Sequence, residues 1–414
     1  RGTHKPEVSG SIPLPATKIM IKLNFSKTLF NICFFIILLS IVFFREPCWF
    51  VDGSFKSVDY RYYNQILKEK NFFEIIFHIR EGHGALIFWN NITHSFLRFF
   101  SYDLAKYLIS YTNLFVYMMI FSYVYFSQSQ LFIDLKHKIF AVFVILLSPP
   151  MIPEVWMSSA HVRGYFGIFS LILLFQDHKK QNVFFNNLTV FLIFFSGLCS
   201  IYAAALTPAY LFKYYLIRDK ENLKRFIFAF FSFLVQAVIV LNHINEDLGE
   251  TTRFGYEIKL FLESFYSYFY NIPIRSFFGS TIPKFLFFNL ELYQMKYFEF
   301  LVYFLLIIFI LYLLSNVLKK KDNLSYILII SFILITLLIL LGTVNPGFVG
   351  GRYAVLPGVI LIFIIFRFYL IEKSPFFKNL FFLMLAFSLI IGLIEFKYFT
   401  PTPEALKCTT SWSY

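Results

Sequence analysis

Charge is scarce in this chain. Only 15% of its 414 residues are Asp, Glu, Lys or Arg, against about 25% in soluble domains. Cysteine is scarcer still. There are four, with Cys33 and Cys199 in hydrophobic runs and Cys48 and Cys408 in polar segments. That spacing forms no zinc pattern. Acid is short relative to base, 24 residues against 37, which leaves a net charge of +13. A nucleic-acid groove would gather that charge on one face. Here it lies in short clusters between hydrophobic runs, the pattern of membrane topology and contact with anionic headgroups. No nucleic-acid partner is expected. No internal repeat is visible, which weighs against an inverted-repeat transporter. The first apolar run lacks a small-residue cleavage site after it, so no cleavable signal peptide is expected.

What the chain has instead is apolar surface. Hydrophobic residues make up 58% of it and the mean hydropathy is +0.67, values that belong to a polytopic membrane protein. The 60 phenylalanines run high together with Ile, Leu, Lys, Asn and Tyr, which fits an AT-rich genome better than a function. The expected fold is an all-α polytopic membrane protein of about eleven transmembrane helices. The expected helices are Lys27–Phe44, Leu104–Phe126, Ile139–Met151, Val162–Gln176, Val183–Leu198, Ile201–Leu216, Phe226–Leu241, Phe298–Leu318, Tyr326–Leu341, Tyr353–Ile371 and Leu380–Ile394. Dividing Val183–Leu216 into two helices that turn near Gly197–Ser200 puts Lys213, Arg218, Lys220, Lys224 and Arg225 inside, where short basic connectors belong.

In this arrangement residues 1–26 are a cytoplasmic tail and 27–394 the membrane domain. Residues 1–19 read as a short tail, or as upstream translation ahead of a start at Met20. Residues 45–103 form a long first outer loop, 243–297 a second, and 395–414 an outer tail. The setting expected is a bacterial inner (plasma) membrane, with the N-terminus cytoplasmic and the C-terminus extracytoplasmic. Cys48 and Cys408 then both lie outside and are expected to pair in an oxidising compartment. Mass spectrometry of oxidised, natively purified protein should find them joined; two free thiols would rule the bridge out.

The first loop carries the most chemistry. Tyr62, Tyr63, Ile66, Leu67, Phe73, Ile76 and Phe77 recur at three- and four-residue spacing, which predicts an amphipathic helix on the membrane surface. Asp59 stands just before it, placed equally well to cap that helix or to act as a base. Asp52, beside Gly53, fits a turn as readily as a site. His83 lies between two glycines at a loop-to-helix junction. A second outer connector runs through Ser148-Pro149-Pro150 to Glu154, His161, Arg163 and Tyr165. An arginine at the outer mouth of a helix needs water, a carboxylate or a phosphate. A pair with Glu154 and snorkelling to headgroups remain alternatives for Arg163. Gly350-Gly351-Arg352-Tyr353 sets a second arginine in the same situation, with glycines that permit close backbone approach.

The order of these pieces resembles the type-C glycosyltransferases, in the branch that uses polyprenyl-phosphate sugars and includes protein mannosyltransferases and aminoarabinose transferases. The resemblance rests on Asp59-Tyr60-Arg61-Tyr62-Tyr63, the His83-led run with Leu86-Ile87-Phe88-Trp89, and Ser148-Pro149 leading to Arg163-Gly164-Tyr165. The Gly197-to-Pro208 segment and Arg352-Tyr353 with Pro357 complete it. Where that family often has an Asp-Glu pair this chain has Asp59-Tyr60, and where it has prolines after the histidine this chain has Gly84-Ala85. The resemblance implies Asp59 or Asp52 as general base and Arg163 and Arg352 as stabilisers of a phosphate leaving group. Glu154, His161, His83, Tyr165 and Tyr353 would orient substrate. It implies a polyprenyl-phosphate sugar donor and membrane lipid as partners. A divalent cation is compatible with such chemistry, but no ligand cluster in the sequence demands one.

Overall fold

The computed structural model describes residues 16–45, 48–51, 71–79, 85–147, 161–246, 272, 275–279, 308, 312, 315, 319–342 and 354–398. Among them the regular structure is helical, with one isolated β-bridge between Ser129 and Gln176. In chain order the helices are α1 (Ala16–Arg45), α2 (Cys48–Val51), α3 (Phe72–Ile76), α4 (Phe88–Leu97), α5 (Tyr102–Phe126), α6 (Leu135–Leu147) and α7 (Arg163–Leu174). They continue with α8 (Val183–Cys199), α9 (Ile201–Ala205), α10 (Thr207–Ile217), α11 (Lys220–Glu246) and α12 (Arg275–Phe278). The last three are α13 (Asn323–Gly342), α14 (Val355–Ile371) and α15 (Pro375–Tyr398).

Among the described residues, five helices are long and apolar enough to cross a membrane, or up to six if the bent pair at Ser200 counts as one span. That supports an all-α membrane protein. The expected set of about eleven includes α6, α7 and α14, which have 13, 12 and 17 residues. A perpendicular span needs about 20 residues, so these shorter helices owe their apolar character to neighbours as well as to lipid. Every residue of α7 is buried, which makes it the hub of the core. Gly167 lets its neighbours close in: a methyl group there would fall 2.7 Å from Leu356 of α14 and 3.0 Å from Tyr202 of α9.

The chain breaks where the charge rule required. α8 ends at Cys199, α9 starts at Ile201, and the two arms of the segment are bent by 117°. The fate of Lys213 and Arg225 differs from the expectation of a solvated connector. They are only 2% and 1% exposed. Lys213 Nζ donates to the carbonyl of Leu174 at 2.5 Å and Arg225 Nη1 to that of Gln176 at 2.9 Å. A buried helix C-terminus leaves carbonyls without partners and a partial negative charge. These two cations cap α7 from below.

The amphipathic run expected over Tyr62–Phe77 is not one helix. Asn71 is extended (φ −79°, ψ 171°) and starts α3 with a capping box to Glu74. Its side chain accepts from the Glu74 amide while the Glu74 carboxylate accepts from the Asn71 amide. Most of the expected helix at Phe298–Leu318 and most of 243–297 lie outside the described residues.

Asp322 ties α13 to α14. It caps α13 by accepting from the Ser325 amide and hydroxyl, and takes Arg367 in a two-pronged ion pair at 2.9 and 2.6 Å. Burial alone would raise its carboxyl, but the hydrogen bonds from Arg367 and Ser325 outweigh that and hold it below its ordinary 3.8. A depressed folded value means stability that is complete above the unfolded value and lost as pH falls through the folded one. Asp322→Ala should cost about 2 kcal/mol at pH 7, somewhat less than breaking a fully buried pair. The gap should begin to narrow below about pH 4 and close only below the folded value. Detergent thermal melts at pH 7 and at a series of pH values stepping down from about 4 test this: a gap that never narrows would show that the carboxylate charge contributes nothing.

Candidate functional site

The stretch after His83 is fixed from the side by one amide. Gln236, in the middle of α11, accepts from the Leu86 amide at 3.1 Å and donates to the Leu86 carbonyl at 3.0 Å. The same Nε2 lies 3.1 Å from the carbonyls of both Gly197 and Leu198, in the last turn of α8. Ser200 then accepts from the amides of Tyr202 and Ala203 and caps α9. One side chain therefore fastens the 85–87 segment to the break in the bent span.

From that anchor α4 begins with Phe88 and Trp89. Its side chains serve different faces. Asn91 donates to the carbonyls of Ile76 and His78, and Ser95 to that of Phe72, which seats α3. The Trp89 indole stands among Phe115 of α5, Phe166 of α7 and Phe195 of α8, at ring separations of 6.4, 6.1 and 6.5 Å. Asn90 and His94 turn inward and are buried. His94 Nδ1 lies 2.8 Å from the Asn90 carbonyl. A carbonyl can only accept, so Nδ1 is the donor in this contact.

At the start of α7 stands Arg163, 8% exposed. It makes no ion pair and no hydrogen bond among the described residues. The position is electrostatically adverse, since the N-terminal end of a helix carries partial positive charge. Val162, the residue before it, supplies no side-chain cap. Among the described residues, a methyl group on Gly164, next to Arg163, would meet nothing within 4 Å, although the residue is buried. The same turn is tightly packed at Tyr165, whose ring lies 4.2 Å from that of Tyr117. His161 is buried, 5% exposed, just ahead of the helix. A buried cation at a helix start that has no side-chain cap is an arrangement that accepts an anion.

Of the residues proposed from sequence, His161, Arg163 and Tyr165 are therefore close together by chain and by burial. Asp52, Asp59, His83, Glu154, Arg352, Tyr353 and Cys408 lie outside the described residues, as does the Cys48 side chain. The segments that flank several of them nevertheless meet on the first turns of α7. Trp89 follows His83, Tyr202 follows the Gly197 break, and Leu356 follows Arg352; their contacts fall on Phe166 and Gly167. Among the described residues no group of three His, Cys, Asp or Glu could hold a metal ion.

Sequence reasoning passed over Gln236 and Trp89. Gln236 was visible as a lone amide in an otherwise apolar run, a costly residue in a membrane helix unless it is bonded. Trp89 stands out in the sequence only as the end of the Leu86-Ile87-Phe88-Trp89 run. The chain matches no family model, no curated protein and no solved structure.

Proposed function

We propose that this chain transfers a sugar from a polyprenyl-phosphate-linked donor to a lipid, glycan or protein acceptor at the outer face of the membrane, with inversion at the anomeric carbon. The observation that carries the reading is Arg163, a buried arginine without a described partner, at a helix start that has no side-chain cap. Such a residue suits a phosphate that leaves with negative charge.

In the proposed step the acceptor O–H or N–H gives its proton to Asp59, with Asp52 as the alternative base. Its lone pair forms the bond to the anomeric carbon, and the carbon–oxygen bond to phosphate breaks, its electron pair leaving with the phosphate. Arg163 and Arg352 stabilise that departing charge. His83, Glu154, His161, Tyr165 and Tyr353 orient the substrates. The setting proposed is a bacterial inner membrane.

A transporter would use the broken span differently, with its free carbonyls coordinating an ion. Here Gln236 already occupies the carbonyls of Gly197 and Leu198, which favours the transferase. A polysaccharide polymerase or ligase shares the arginine chemistry and differs in its acceptor. The test is transfer of labelled sugar from lipid-linked donor in membranes. Asp59→Asn and Arg163→Ala should each abolish it without loss of folded protein; full activity in both would end the reading.

A further inference from the structure

The Trp89 ring is only partly buried, yet its Nε1–H is sealed and has no hydrogen-bond partner among the described residues. A buried donor left unpaired costs about 1–3 kcal/mol, and structures rarely retain one without a use. Phenylalanine would fill the same aromatic cluster without that cost. Two further buried hydroxyls on flanking helices, Ser110 of α5 and Ser196 of α8, likewise have no partner among the described residues. Around the indole stand Phe115, Phe166 and Phe195, side chains that yield by rotamer change rather than backbone movement. Phe166 lies on the first turn of α7, three residues from Arg163.

Aromatic faces beside unpaired polar hydrogens suit a ligand that is apolar on its C–H face and polar at its rim. A sugar ring has that character. Resting on the transferase reading, we infer that Trp89 contacts the donor sugar: its ring packs against the C–H face, and its Nε1–H donates to a sugar oxygen. Arg163 takes the phosphate on one side, and Trp89 selects what the phosphate carries on the other.

The full chain in detergent is titrated with two radiolabelled probes, a polyprenyl-phosphate hexose and the same polyprenyl phosphate without sugar. Trp89→Phe should weaken the sugar-bearing probe about tenfold, the value of one hydrogen bond, and leave the bare phosphate unchanged. Its melting temperature should hold or rise, because the deleted N–H has no partner among the described residues. The benzothiophene analogue of tryptophan at position 89, which replaces N–H by sulfur in the same shape, should repeat the loss without altering packing. Equal weakening of both probes, or none for either, overturns the sugar contact while leaving the transferase reading intact. Failure of wild type to bind either probe removes that reading, and this inference with it.

Discussion

On the proposed transferase reading, Arg163→Ala should lower sugar transfer by about 10²–10³-fold, the usual cost of removing one stabilising donor from a developing oxyanion. The protein should remain folded. Arg163 stands at the positive end of α7 with no described partner, so its removal relieves a repulsion of about 0.3–1 kcal/mol and breaks no bond. Stability and activity should therefore move in opposite directions. Arg163→Lys should fall between, since it keeps the charge and loses the planar fork that matches a phosphate. Gly164→Val provides an independent check. It adds bulk beside the arginine, where a methyl group would meet no described residue within 4 Å, and replaces a poor helix former; its melting temperature should hold while transfer is lost. Were Arg163 only an anchor to headgroups, Ala would turn over like wild type and Gly164→Val would be silent. Steady-state transfer and thermal melts on the same preparations separate the two outcomes.

The parts of the fold that were legible are those governed by one-dimensional rules. The break near Ser200 followed from requiring the basic connectors to lie on one side, and Tyr102–Phe126 was found within two residues of its expected start. The depth of the short helices was not legible. Nothing in the composition of Arg163–Leu174 distinguishes a lipid-facing helix from one enclosed by protein, because both are apolar all round. Nor could charge counting foresee Lys213 and Arg225, since it assigns every cation to water. What moved them inward was the end of α7, whose carbonyls needed donors. The start at Asn71 was legible and missed: Asn71 with Glu74 is a capping-box spacing, hidden by an apolar periodicity that continued across it. The site follows the same division. Arg163 could be proposed from its place at an expected outer mouth, but its burial and its lack of a described partner are three-dimensional facts.

Gln236→Leu should destabilise the protein by about 4 kcal/mol, although Gln236 is far in sequence from every residue assigned a chemical role. The substitution is apolar for polar in an apolar span, which composition alone would predict to be harmless. The bonds predict otherwise. Leucine would leave the Leu86 amide and the carbonyls of Leu86, Gly197 and Leu198 without the partner they now have. Each unpaired buried group costs about 1–3 kcal/mol, and Gln236 is only 2% exposed, which leaves little access for water to compensate. Gln236→Glu sharpens the test. Its carboxylate would face the same three carbonyl oxygens and repel them, while the protonated acid can donate to one. The variant should therefore melt higher at pH 5 than at pH 8. Hydrogen exchange at Leu86 should accelerate in both variants before the global transition, and unchanged protection there would remove Gln236 from its proposed role. The consequence reaches the site. Leu86 is three residues from Trp89, and Trp89 makes a ring contact between α4 and the first turn of α7. Loosening the amide should thus reduce transfer at temperatures where the bundle is still folded, through a residue that touches no substrate.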